Sequence, residues 1–74
     1  MLLEYIAGVI DGNGQVTLGR VGPVKCAAVA SDEAGCLAML VRNPKESLSA
    51  LLKRLDAAIE AAVERDEFID EING

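Results

Sequence analysis

Histidine and tryptophan are absent from this chain of 74 residues, and its aromatic side chains are Tyr5 and Phe68. Lack of histidine removes the commonest general base near neutral pH and the commonest transition-metal ligand. Ser47 and Ser49 have no triad partners, and a nucleophilic cysteine would have no imidazole beside it. The two cysteines, Cys26 and Cys36, lack CxxC spacing, which suits a reducing compartment. No apolar run reaches the roughly 18 residues of a membrane span. Met1-Leu2-Leu3 is followed at once by Glu4, with no basic stretch of the kind that opens a secretory leader. The glycines form neither a GxGxxG fingerprint nor a P-loop. These absences point away from an enzyme, a cofactor and a membrane partner, and toward a reducing cytoplasm.

Asp11-Gly12-Asn13-Gly14 is the stretch nearest to a metal loop. Aligned on the invariant glycine of a calcium-binding EF-hand, Gly14 puts Asp11 and Asn13 at ligand positions. The ends fail, because Val9 falls on the first ligand position and Arg20 on the bidentate glutamate. One carboxylate and one amide do not satisfy a hard cation that takes six to eight oxygens. DGNG between apolar runs is strong turn chemistry, and the expectation is a hairpin pairing Val9 with Val16.

What the chain does have is small apolar residues. Hydrophobic types make up 51% of it, nearly all Ala, Val, Leu and Ile, each of which buries little area. A domain this small gains by sharing its core with a second copy. Charge is uneven. Residues 1–54 carry six basic and five acidic groups, while residues 55–74 set Arg65 against seven acids, so the net charge of −5 is a C-terminal feature. That argues against broad binding to nucleic acid or anionic membrane, which require clustered cations.

Residues 4–10 and 15–21 read as the strands of a first hairpin, with Gly22-Pro23 breaking the chain after it. Residues 24–31 and 36–42 read as a second hairpin around Asp32-Glu33-Ala34-Gly35. Pairing Ser31 with Cys36 gives one face of Cys26, Ala28, Ala30, Leu37, Met39 and Val41. The other holds Ala27, Val29, Ala38 and Leu40, rimmed by Lys25 and Arg42. Both faces are apolar, so both should be covered. The two cysteines fall on opposite faces, roughly 17 Å apart at strand rise. A disulfide needs Cα atoms within about 7 Å, so small buried hydrophobes are expected instead.

A helix start is signalled twice. Asn43, Pro44 and Glu46 make a capping-box pattern, and Ser47 is a cap one turn later. The helix should run from about Ser47 to Arg65. Leu48, Leu51, Leu52, Leu55, Ala58, Ile59, Ala62 and Val63 form its apolar stripe, and Ser49, Lys53, Asp56, Glu60 and Glu64 a solvated face. The expected fold class is α+β: two β-hairpins of four short antiparallel strands, then one long amphipathic C-terminal helix, ββββα. One helix covers one face of such a sheet. A second copy is expected on the other, giving an intertwined or sheet-packed homodimer. Its core and contact residues would be Cys26, Ala28, Val29, Leu37, Met39, Leu40, Val41, Leu48, Leu51, Leu52, Leu55 and Ile59.

Residues 1–66 are read as one domain and 67–74 as an acidic C-terminal tail. Acids at a helix C-terminus oppose its dipole. Asp66, Glu67, Phe68, Ile69, Asp70, Glu71 and Ile72 therefore read either as a tail pinned through Phe68 or as a short arm that docks a partner protein. Arg20, Lys25, Arg42 and Lys45 are the candidate nucleic-acid contacts of an alternative reading, since paired strands can enter a DNA groove. They have no aromatic interleaving.

The run LAMLVRNPKESLSALLKRLDAAIEAA, followed by DEFIDEIN, resembles small uncharacterised bacterial proteins encoded on plasmids and integrative elements. Those share an LLxRLDxAI-type helix and a DEIN tail. The resemblance covers about residues 36–73 and implies an accessory protein of a mobile element, with no chemistry assigned. The resulting expectation is a non-enzymatic homodimer that binds another macromolecule, most readily a protein, with nucleic acid as the alternative.

Overall fold

Residues 4–10 wind into a helix and do not form a strand. The computed structural model describes residues 3–73, whose elements run α1 (Glu4–Asp11), β1 (Gln15–Val21), β2 (Val24–Asp32), β3 (Gly35–Val41), α2 (Leu48–Arg65) and β4 (Ile69–Asp70). The sheet order is β1-β2-β3-β4, with the first three strands antiparallel and β4 parallel to β3. The α+β class stands. The ββββα order is corrected at both ends: a helix precedes the sheet, and the fourth strand follows α2 and lies parallel to its neighbour.

The first correction has a physical cause far along the chain. Short β-branched runs such as YIAGVI suit a strand or a buried helix equally. Here Asp56 of α2 decides between them. Its Oδ1 accepts the backbone N–H of Tyr5 at 2.9 Å and of Ile6 at 3.0 Å, two orphan donors of the first turn. Ile6 and Val9, one turn apart, then bury against the core. DGNG ends the helix. Asn13 takes a left-handed φ of 69°, and the Gly14 N–H reaches back to the Val9 carbonyl at 2.7 Å, a Schellman-type closure. The same residue types make hairpin turns and helix stops, because both need left-handed backbone. Gly14 is fixed by crowding: a Cβ there would lie 2.6 Å from the Ser31 carbonyl and from Val9 Cγ1.

The hairpin that does form at this end joins β1 to β2. Val21 pairs with Val24 across Gly22-Pro23, with Gly22 at φ 56°, as a tight two-residue turn demands. Between β2 and β3, Ser31 pairs with Cys36 as expected, but the register then shifts so that Ala30 faces Ala38 and Ala28 faces Leu40. Leu37 is the extra residue of this bulge. The two expected faces are therefore re-sorted. Ala38 and Leu40 join Ala28 and Ala30 on the core side, while Met39 and Val41 join Ala27 and Val29 on the other.

Both helices lie on the core side. Leu51, Leu55 and Ile59 of α2 and Ile6 and Val9 of α1 close one cluster with Ala28, Ala30, Ala38 and Leu40. Alanine on the strands brings the helix close, so Leu40, Leu51, Leu55 and Ile59 are fully buried despite the small size of the domain. Each such side chain contributes about 1.5–3 kcal/mol of burial. Ser47 caps α2, its Oγ accepting the Ala50 N–H at 3.1 Å. Upstream, only half of the expected capping box forms: Glu46 Oε1 accepts the Asn43 N–H at 3.0 Å, and the Glu46 N–H closes a turn onto the Asn43 carbonyl without starting the helix.

We predict that Asp56→Ala destabilises the fold by about 0.5–2 kcal/mol and speeds hydrogen exchange of α1 amides before those of α2. Denaturant unfolding with amide exchange checks it, and uniform exchange across both helices would refute the remote cap. Gly14→Ala should cost more than the roughly 1 kcal/mol of a typical substitution, because its methyl meets backbone on both sides.

Candidate functional site

Strand alternation and register put Ala27, Val29, Met39 and Val41 at the centre of the sheet face that carries no helix. Thr17, Gly19 and Ser31 complete its surface, and Lys25 and Asp70 stand on its rim. Ala27 is fully buried by its neighbours, while Val29, Met39 and Val41 are half-buried. The face is thus uncharged over its middle. The expected dimer and core set divides in two. Ala28, Leu40, Leu51, Leu55 and Ile59 are spent on the chain's own core, and Cys26, Leu37 and Leu52 pack against it. Val29, Met39 and Val41 look out from the open face. Leu48, the first residue of α2, stays 44% exposed.

Residues 66–72 are drawn onto the sheet. Asp66 turns the chain with a left-handed φ of 55°, and the Glu67 N–H closes onto the Ala61 carbonyl at 3.1 Å. Ile69 pairs with Ala38 and packs on the core; Asp70 pairs with Met39. Asp70 Oδ1 accepts the N–H groups of Asn73 at 2.8 Å and Ile72 at 2.9 Å, and the Asn73 N–H is the main cause holding its carboxyl below the ordinary range. Ile72 is half-buried. Phe68, which one reading pinned to the core, is 55% exposed.

What holds this arm is Arg54, a residue that sequence patterning did not single out. Its Nε and Nη2 grip the two oxygens of Glu46 at 2.6 and 2.9 Å. Nη2 also donates to the Val41 carbonyl at 2.9 Å, and Nη1 donates to Glu71 at 3.0 Å. The other oxygen of Glu71 accepts the Val41 N–H at 2.9 Å, and the Glu71 N–H reaches the Met39 carbonyl at 2.7 Å. One guanidinium therefore ties α2 to the loop before it, the end of β3 and the arm. Glu46 was legible as a capping-box residue. Its second role was not, since Arg54 lies eight positions on and the pairing rules of helices reach only four.

Glu46 shows the strength of this geometry. Hydrogen bonds from Arg54, then the Asn43 N–H, lower its carboxyl from the ordinary 4.5 to about 2. A carboxyl depressed in the folded state adds stability that is complete above the unfolded value and fades as pH falls toward the folded one.

The four cations of the alternative reading are gathered at one end of the molecule. Arg20 is next to last in β1 and Lys25 second in β2 beside the Val21–Val24 turn, while Arg42 follows β3 with its N–H on the Cys26 carbonyl at 3.0 Å, and Lys45 sits in the next loop. All four are exposed. At the opposite end Asp11, Asp32 and Glu33 surround the β2–β3 turn and the close of α1. The cysteines are free, with Cys26 against the core and Cys36 exposed. Among the described residues, no group of three or more metal-ligating side chains comes together, and no helix is long and apolar enough to cross a membrane. No family model matches the chain, and neither the curated proteins nor the solved structures contain a match to it.

We predict that acid unfolding tracks Glu46. Stability should fall as pH drops from about 4.5 to about 2, and Glu46→Gln should be less stable at neutral pH and flatter across that window. Urea titrations at several pH values read this; parallel slopes for both proteins would contradict it. Arg54→Lys should release the arm almost as fully as Arg54→Ala, because a lysine cannot reproduce the bidentate fork.

Proposed function

We propose that the protein is a non-enzymatic binding module that works as a homodimer, two copies meeting across the open sheet face, and that the dimer engages a partner protein. One observation carries the dimer: both helices pack on the same side of a sheet whose other side is centred on Ala27, Val29, Met39 and Val41. Three strands at about 4.8 Å spacing and about seven residues at about 3.3 Å make a face of roughly 14 by 23 Å, to which β4 adds two residues. Two such faces bury on the order of 700 Å² before side-chain relief is counted, so relief and the rim supply the remainder of the roughly 1,000 Å² of a specific interface. The rim supports an isologous pairing. A two-fold axis lying in the interface near Val41 exchanges Lys25 with Asp70, so each cation meets the partner copy's anion. The resemblance of residues 36–73 supports placing this role among accessory proteins of mobile elements.

A second reading is favoured by the grouping of Arg20, Lys25, Arg42 and Lys45 at one end: the dimer binds nucleic acid there. The acids at the other end and a net charge of −5 oppose it.

Light scattering over a dilution series tests the first reading. The expected mass is twice 7.8 kDa down to low micromolar concentration, and Val29→Lys should give a folded monomer. A wild-type monomer at all concentrations would remove the dimer. A mobility shift on mixed DNA that weakens steeply with salt and is lost in Lys25→Glu would establish the second reading; no shift at low salt would eliminate it.

A further inference from the structure

On the other side of the molecule, the helical layer has a groove that no described residue fills. Tyr5, Gly8 and Val9 of α1 form one wall, Ile59 and Val63 of α2 the other, and Leu37 the floor toward the β2–β3 turn. The walls are stripes at i, i+3, i+4 and at i, i+4, the spacing that presents one side of each helix. Val63 is 57% exposed.

Gly8 is the anomaly within it. Glycine in a helix interior is destabilising against alanine and needs a reason. Gly14 has one in backbone crowding, Gly12 in a 3.0 Å approach to the Gly8 carbonyl, and Gly19, Gly22 and Gly35 in positive φ. Among the described glycines, Gly8 alone has helical φ and nothing within 4 Å of a Cβ built on it. Neither its conformation nor its own chain requires it. A glycine on a groove wall with open space above it fits a backbone that arrives from outside.

The rim tells what that backbone carries. Glu4 and Asp32 line the groove. Tyr5 donates its hydroxyl to Glu64 at 3.0 Å. That hydrogen bond, some burial and the negative charge of Glu64, Glu60 and Glu4 raise the Tyr5 pKa above the ordinary 10.0. An acidic rim over an apolar floor is complementary to a cationic amphipathic surface.

We infer that the groove between α1 and the C-terminal half of α2 docks a cationic amphipathic helix of a partner protein, with Gly8 at the point of closest approach. The inference rests on the reading of the protein as a protein-binding module, but it uses a surface separate from the sheet face. The helix would lie as a third member of the helical layer, its apolar side on Tyr5, Leu37 and Val63 above the buried Val9 and Ile59, and its lysines or arginines toward Glu4, Asp32 and Glu64.

Tyr5 is the chain's one tyrosine and no tryptophan competes with it, so its fluorescence reports on the groove. The test titrates the full chain with a Leu/Lys model helix of about five turns, free of aromatics, and with its Leu/Glu counterpart. The expected result is a saturable change in Tyr5 emission with the Leu/Lys helix, weakened by salt and absent with the Leu/Glu helix. Gly8→Ala should raise Tm by about 4–8 °C while weakening binding about tenfold, because its methyl occupies the contact. Backbone amide shifts should map to residues 4–9 and 59–63. Equal binding by Gly8→Ala, equal binding of both peptides, or shifts centred elsewhere would each overturn the inference. So would a Gly8→Ala chain that loses self-association, which would seat a second copy in the groove. The monomeric Val29→Lys variant separates the two claims. Peptide binding that persists in it supports the groove whatever becomes of the dimer. A stable dimer with no peptide response leaves the sheet-face reading standing and the groove refuted.

Discussion

A sheet has two faces, and this chain has helices for one. That constraint shapes the rest of the molecule. The core side is built from strand alanines and helix leucines, so α2 sits close and four large side chains disappear from solvent. The opposite side repeats the apolar pattern, and among the described residues nothing covers it. It is not polar, as the outer face of an independent two-layer domain would be. A surface of valine, alanine and methionine with a charge of each sign at its edges is suited to another surface of the same kind.

The acidity of the C-terminal third reads differently once the contacts are known. Asp56 is consumed in capping α1, Asp70 in closing the final turn, and Glu71 in holding β3 and Arg54. Glu64 receives the Tyr5 hydroxyl. Several acids that counted as a solvated helix face or a free tail are hydrogen-bond acceptors for backbone or for one buried-edge arginine. The arm also protects the sheet. β4 pairs only two residues of β3, but with Glu71 it occupies the edge from Ala38 to Val41. At the far edge, β1 carries a register shift between Gly19 and Val21, a distortion that discourages pairing with foreign strands.

Features that depend on near neighbours were legible in the sequence. The β2–β3 hairpin, the Ser31–Cys36 pair, the Ser47 cap and the extent of α2 follow from turn residues, capping chemistry and a regular apolar stripe. Features that depend on remote partners were not. α1 needs an acceptor about fifty positions away, and a period of two and a period of 3.6 fit its few residues equally well. The bulge at Leu37 adds one residue to a strand and so exchanges the faces of everything beyond it, which alternation alone does not reveal. The arm reads as an acidic tail because its pairing rests on backbone and on Arg54. For the candidate surfaces, the cations Arg20, Lys25, Arg42 and Lys45 were recognisable, but not their common location, and the groove beside Gly8 had no signal beyond an unexplained glycine.

The molecule is electrically polarised along its strands, with basic groups at the Gly22-Pro23 end and acidic groups at the Asp32–Gly35 end. The proposed isologous pair across the open face would leave both ends free for partners. The most direct measurement is solvent paramagnetic relaxation of amide and methyl signals, recorded at high and low protein concentration. The account predicts that Thr17, Val29, Met39 and Val41 become protected as concentration rises while the helical layer stays accessible. Unchanged accessibility of those four residues at every concentration, or protection falling on the helices instead, would contradict it.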